Sequence, residues 1–137
     1  MTINFAGLMS NDAKGSALTA ALITPSHIYL GFTTVAIAAT DTLASITEST
    51  AFARTEITSN LAAELLVGGI PTVQNSTAIT TVNAGSSGEK VVGFFLTTVA
   101  SAASGAIIAY GNYASGVYSN SGQPLTVAID GLQVQIN

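Results

Sequence analysis

The ionisable side chains that could do chemistry are few and widely spaced along this chain. His27 is the only histidine, and the sequence contains no cysteine. A Ser–His–acid nucleophile system needs a histidine, but His27 follows Pro25 and Ser26 at an expected helix-to-strand turn, where histidine is usually a turn or edge residue. A metal site would need oxygen ligands such as Asp41 at a spacing that the sequence does not provide. We therefore expect no catalytic residue, no metal, no cofactor and no enzymatic activity.

Two carboxylates flank the only arginine of the chain. Glu48 and Glu56 could face each other across a hairpin, and paired carboxylates can act as general acid and base. Arg54 lies between them in sequence, so the simpler interpretation is a structural ion pair of Arg54 with Glu48 or Glu56. Asp41 is a further possible partner across strands.

The segment Gly85–Lys90 is faintly similar to a phosphate-binding loop. The required G-x-x-x-x-G-K-[ST] spacing is missing because Glu89 separates Gly88 from Lys90, and strand-like rather than helical residues follow. We interpret the segment as a loop between strands.

Two groups of apolar and aromatic residues are candidates for an interface. Tyr110, Tyr113 and Tyr118 lie in or beside a Gly/Asn/Ser-rich stretch, where exposed tyrosines can bind protein or carbohydrate; the alternative is a loop anchored by its own tyrosines. Residues 1–10 are apolar and uncharged and could form an arm that adds a strand or an anchor to a neighbour. The candidate contacts of that arm are Ile3, Phe5 and Leu8.

The composition argues for a packed protein whose surface is unusually poor in charge. Of 137 residues, 48% are hydrophobic and 7% are charged, against about 25% charged in a typical soluble domain. Three cationic residues and a net charge of -4 give no basic footprint for nucleic acid and no attraction to an anionic membrane. The uncharged stretch 91–110 is long enough to span a bilayer, but its small polar centre predicts two strands and a loop. A surface of Thr, Ser, Asn and Gly favours burial against copies or neighbours.

Local patterns predict one helix followed by β-structure. Asn11 or Asp12 can cap a helix over 12–23, which Pro25 ends. Alternating and β-branched runs predict strands over 27–32, 51–58, 76–83, 90–99 and 106–110. The segment 61–67 fits either a helix or a strand.

The strongest turn signal lies near the end of the sequence. Asp130–Gly131 separates two alternating apolar runs, which predicts a two-residue type I′ hairpin. That register would pair Ile129 with Leu132 and Val127 with Val134, with all the apolar side chains on one face. The predicted fold class is mainly β, an antiparallel β-sandwich or jelly-roll-like fold with one short N-terminal helix. The predicted organisation is an N-terminal arm over 1–10 and a single β-sandwich domain over 11–137.

The order of these features resembles a family of small bacteriophage virion structural proteins, described as tail-fibre-like or capsid decoration proteins. The resemblance spans about residues 11–137. It depends mostly on Glu48 and the Phe52-Ala53-Arg54 segment, with support from 91–96 and from the Gly-Ala-Ile-Ile-Ala-Tyr-Gly run at 105–111.

The resemblance implies a role in the virion and supplies no catalytic residues. The leading hypothesis is a capsid decoration (cement) protein at the capsid surface, a homotrimer that binds the major capsid protein lattice. The alternative is a tail-fibre or tail-tip component that contacts the host surface. The expected partners are the chain itself and the major capsid protein or other virion proteins, with no nucleic acid and no membrane insertion.

Overall fold

A computed structural model describes residues 9–136 of the chain, and its elements are mostly short antiparallel strands. Helix α1 (Asn11–Leu18) continues directly into a π-helical segment (Thr19–Ile23), and a 3₁₀ turn covers Thr58–Asn60. The strands of the described residues are β1 (Tyr29–Thr33), β2 (Thr55–Glu56), β3 (Leu65–Val67), β4 (Ile70–Gln74), β5 (Ile79–Val82), β6 (Glu89–Thr97), β7 (Ala109–Ser119), β8 (Pro124–Val127) and β9 (Gln133–Gln135).

The strands form three antiparallel sheets. A four-stranded sheet has the order β2-β1-β6-β7, a three-stranded sheet has the order β3-β4-β9, and β5 pairs with β8. The predicted fold class is confirmed: within residues 9–136 the protein is mainly β, sandwich-like, with one helical segment at 11–23.

The helix occurs where the sequence predicts it, but a different residue caps it. Ser10 is the N-cap, because its hydroxyl accepts a hydrogen bond from the Ala13 amide, and this satisfies one of the amides that the first turn leaves free. Leu18 and Leu22 lie one turn apart and are both buried in the main core. The helix therefore fills one flank of the sandwich, where it packs against β4.

Apolar side chains of the sheets and the helix form the main core. Phe32 and Phe52 pack together there, with ring centroids 5.6 Å apart. A smaller cluster of Ile37, Leu43 and Phe95 lies apart from it. Gly31 lies directly under the Phe95 ring, and a Cβ atom at this position would overlap that ring. The four-stranded sheet is consequently covered by apolar side chains on both faces.

The strand predicted over 51–58 is wrong for most of its length, since only Thr55–Glu56 is extended and paired. The cause is a side-chain hydroxyl that competes for the backbone. Ser49 Oγ accepts hydrogen bonds from the amides of Ala51 and Phe52. These bonds hold the chain in a turn that places Phe52 in the core.

The hairpin predicted at Asp130–Gly131 is also wrong, because the two strands on either side of this turn join different sheets. Strand β8 pairs with β5, and β9 pairs with β4, so that Val134 lies opposite Val73. Asp130 does adopt a positive φ of 58°, but the turn here spans Ala128 to Gly131 and separates the strands. The two-residue hairpin of the described chain lies elsewhere: Gly68 and Gly69, both at positive φ, join β3 to β4.

Candidate functional site

Arg54 lies at the centre of a polar cluster that joins several segments of the described structure. Its side chain is only 2% exposed, and its guanidinium forms a two-pronged bond to Glu48, with Nε to Oε1 at 2.7 Å and Nη2 to Oε2 at 2.8 Å. Nη1 donates to the carbonyls of Val99 and Ala102 at 2.8 and 3.1 Å. The guanidinium carbon also lies 5.3 Å from the centroid of the Phe95 ring. We call this set of groups the Arg54 centre.

The Arg54 centre connects segments that are distant in sequence. Glu48 is held by an isolated bridge to Thr33 at the end of β1, while Val99 and Ala102 belong to the loop after β6. Guanidinium is suited to this task because its planar fork presents several donors in fixed directions. Both Glu48 oxygens accept from Arg54, so the geometry gives this carboxylate a structural role.

Glu56, the other carboxylate considered for Arg54, is bound elsewhere. It accepts from His27 Nδ1 at 2.8 Å, with 59% and 48% of the two side chains exposed. The hydrogen bond from His27 lowers the pKa of Glu56, and a bond from Thr58 acts in the same direction. Glu56 and Glu48 lie near opposite ends of β1, beside Tyr29 and Thr33, which are about 13 Å apart in a strand. The two carboxylates therefore do not converge as an acid–base pair.

The loop over 85–90 is held by the chain's own side chains. The Gly85 amide donates to Asn83 Oδ1 at 2.8 Å, and the Gly85 carbonyl accepts from Ser121 Oγ at 2.6 Å. Glu89 begins strand β6, and its carboxylate accepts from Ser49 and Thr50. The segment is thus a strand connection held at Gly85 and Glu89 by side chains of the same chain.

Most carboxylates of the chain are engaged in the same way. Five of the seven acidic residues accept hydrogen bonds from groups of the chain itself: Asp41, Glu48, Glu56, Glu89 and Asp130. Among residues 9–136, no three His, Cys, Asp or Glu side chains come close enough to hold a metal ion. These carboxylates are therefore bound to groups of the chain itself.

Two buried asparagines, which the sequence reasoning did not identify, organise the loops. Asn75 is fully buried, donates to the carbonyls of Thr77 and Ala128, and accepts from the Leu132 amide at 2.8 Å. These bonds attach the turn between β8 and β9 to the end of β4, and so separate the two predicted hairpin partners.

Asn83 connects a second group of loops in the same way. Its side-chain amide donates to the carbonyls of Ser87 and Ser119, and its backbone bonds to residues 122 and 123. The only local signal for the roles of Asn75 and Asn83 is that each asparagine follows a strand. Asparagine is common in ordinary turns, so this signal does not distinguish a buried organising residue from a turn residue.

The three tyrosines proposed as contacts lie on a strand and not in a loop. Tyr110 and Tyr118 are 42% and 63% exposed near opposite ends of β7. Their partners on β6 are Phe95 and Lys90, five residues and so about 17 Å apart along that strand, because the register shifts where β7 bulges between Asn112 and Val117. Tyr113 faces inward against Phe94, with ring centroids 5.5 Å apart, and burial raises the pKa of its hydroxyl. The tyrosines therefore do not form one aromatic patch. The other candidate contacts, Ile3, Phe5 and Leu8, lie outside the described residues.

An apolar groove opens on the surface of the sandwich. It lies between the start of β7 and strand β9 and encloses a volume of about 360 Å³. We call it the β7–β9 groove. Its lining side chains are uncharged, and they include Phe94, Leu96, Ile108, Tyr110 and Val134. Phe94, Ile108 and Val134 are only half-buried although they pack against the main core. The groove is therefore a place where the core is incompletely covered.

No family model matches this chain, and no curated protein matches it. No helix within residues 9–136 has the length and hydropathy that crossing a bilayer requires.

Proposed function

We propose that this protein is a structural component of a bacteriophage virion, and that it acts as a capsid decoration protein. In this role a homotrimer binds the surface of the major capsid protein lattice and connects neighbouring subunits. The resemblance of residues 11–137 to small phage structural proteins supports the virion as the location. The observation that carries the assembly role is the contrast between carboxylates that mostly bind groups of the chain itself and large apolar side chains that are exposed.

The exposed surface is rich in large apolar side chains. Val35, Leu66, Tyr118 and Ile129 are each more than half exposed, and only ten of 137 residues are charged. Charges are depleted at the centres of stable interfaces because desolvating an ion costs free energy. A surface of this kind suits association with other protein subunits.

Decoration acts through mass action. A protein that binds only the assembled lattice stabilises it by its binding free energy, and that contribution is repeated at every site. A trimer that engages three neighbouring subunits also gains from multivalency, because the second and third contacts form at high effective concentration.

The proposal is tested with particles produced by the phage that encodes the chain. Heads and tails are separated, and the chain is quantified in each fraction by mass spectrometry. We expect it in the heads in many copies, and we expect particles lacking it to release their genome at a lower temperature until the purified protein is added back. Absence of the chain from both fractions would refute the virion role.

The tail-fibre or tail-tip alternative is favoured by Tyr110 and Tyr118, the exposed tyrosines of β7. Aromatic rings with a polar hydroxyl are common in surfaces that bind proteins and sugars. For this alternative, the chain is found with the tails, and it binds host cells. Changing both tyrosines to Ala then removes cell binding, while Tyr113→Phe, a change at the inward-facing ring, leaves it intact.

A further inference from the structure

The side of the sandwich formed by β7 and β9 leaves two strand edges open. Within the described residues, β7 pairs only with β6 and β9 pairs only with β4. The β7–β9 groove lies between these edges. Each edge presents backbone N–H and C=O groups that can accept a further strand.

Neither edge is protected by charge or by proline, although β9 is only three residues long and β7 bulges between Asn112 and Val117. Proteins commonly protect an exposed edge with charged residues, with proline or with a very short strand. Strand β7 has eleven residues, Ala109–Ser119, and contains neither a charged residue nor a proline. The short strand β9 is Gln-Val-Gln and is also uncharged. The groove therefore combines hydrogen-bonding edges with an apolar floor, the two requirements for binding an extended peptide.

We propose that residues 1–8 of a second copy of this chain bind in the β7–β9 groove as an added strand. This inference rests on the proposed self-association and specifies the surface through which it occurs. In the sequence of this segment, Ile3 and Phe5 alternate with Thr2 and Asn4, and no residue is charged. In an extended chain the first pair enters the apolar groove while the second pair faces away. Eight extended residues span roughly 26 Å, enough to cross the groove.

A segment from a second copy can lie in the groove over its full length, whereas the segment of the same chain would use part of its length to reach it. Asn11 begins the helix and donates to the carbonyl of Gly69 in the β3–β4 turn, and an open cleft at the helix is lined by Glu64 and Leu66 on the β3 side. Strand β9 lies on the other side of β4. A segment of the same chain would have to cross the ends of β4 and β9, about 10 Å at the spacing of strands, before it entered the groove.

An exchange of this kind is a head-to-tail contact between different surfaces. Such contacts close into a ring when the rotation between subunits permits it. Three copies, each giving its segment to the next, form the homotrimer of the proposed function with every groove filled.

Disulfide trapping in solution tests this placement, since the natural chain has no cysteine. One variant carries Ile3→Cys or Phe5→Cys, tested separately, and a second carries Val134→Cys in the groove. When the two are mixed and oxidised, a cross-link can form only between chains, and we expect a species of twice the chain mass. Asn4→Cys is the matched control, because its side chain faces away from the groove, and we expect its cross-link to be lost.

A mixing experiment tests the head-to-tail geometry without relying on disulfides. The double variant Ile3→Asp/Phe5→Asp keeps the groove, and Val134→Asp keeps the segment. We expect each alone to be monomeric, and the mixture to form a heterodimer with one intact contact. Tyr110→Asp, at the exposed rim of the groove, serves as a second groove variant in case Val134→Asp does not fold.

Three results would overturn the inference: no cross-link between chains, a doubly substituted Phe5→Cys/Val134→Cys chain that cross-links only within itself, or groove variants that still form trimers. None of these results concerns the virion. A chain that is found in heads but gives no cross-link between copies leaves the decoration role standing and removes only this contact.

Discussion

The Arg54 centre and the β7–β9 groove differ in whether their groups find partners within the chain. In the Arg54 centre, a guanidinium that is almost fully buried finds a carboxylate, two carbonyls and an aromatic ring within the chain. In the groove, Ile108 and Val134 extend the core but remain half-exposed, and two strand edges lack partners in the described structure.

The difference indicates where the function lies. Groups that could do chemistry are used to hold loops in place, whereas groups that could make further contacts are left on the surface. Substitutions at the Arg54 centre should therefore unfold the protein, and substitutions in the groove should separate its copies. The expected effects on the free energy of unfolding decrease in the order given below.

Arg54→Ala should cause the largest loss of stability. Removal of one member of a buried ion pair leaves the other without compensation, which typically costs 3–5 kcal/mol. Because Glu48 is 29% exposed, we expect about 3 kcal/mol. Denaturant unfolding measures the effect, with Lys90→Ala, an exposed cation, as the control. A loss comparable to that of the control would show that the Arg54 centre is not structurally important.

Asn75→Ala should come next. The substitution leaves the buried Leu132 amide and two carbonyls without their side-chain partner, and a buried unsatisfied group costs about 1–3 kcal/mol. Asn60→Ala is the matched control, because Asn60 also donates to two acceptors but in an exposed setting. Equal losses for the two variants would contradict the role of Asn75 as the organiser of the β8–β9 turn.

Ile108→Thr should affect association far more than folding. Ile108 is half-buried in the groove, so we expect a loss of only about 1 kcal/mol in the free energy of unfolding. Sedimentation should nevertheless show dissociation of the oligomer. A variant that remains oligomeric would indicate that the copies meet through another surface.

His27→Ala should have the smallest effect, and the effect should depend on pH. The hydrogen bond from His27 lowers the pKa of Glu56 below 4.5 in the folded protein. A depressed carboxylate pKa contributes stability that is present above the unfolded value and lost as the pH falls through the folded value. Stability curves from pH 6 to pH 3 should therefore fall less steeply for His27→Ala than for the natural chain. Identical acid limbs would show that the exposed pair contributes nothing.

The sequence predicted the fold class and the helix because these depend on local patterns. It failed at Asp130–Gly131, where the alternation on both sides is equally compatible with one hairpin or with strands in two sheets. Gly68–Gly69 has the same kind of turn chemistry and does form a hairpin. What separates the two cases is Asn75, which is 53 or more residues away in sequence from the turn that it binds.

The candidate site was predictable only in part for the same reason. Glu48 and Arg54 are six residues apart and were considered together from the sequence, and they form a bonded pair. The carbonyls of Val99 and Ala102 reach Arg54 from the loop after β6. Phe94 and Val134 belong to two different sheets and line the same groove. Such contacts are determined by packing and leave no local pattern to detect.

The central claim is that this protein works by association through its open, apolar flank. The most direct test is the mass of the purified natural chain and of Tyr110→Asp in solution, by sedimentation or native mass spectrometry. We expect three times the 13.7 kDa chain mass for the natural protein and the mass of one chain for the folded variant. A natural chain that remains monomeric at concentrations well above those used for binding assays would contradict the account.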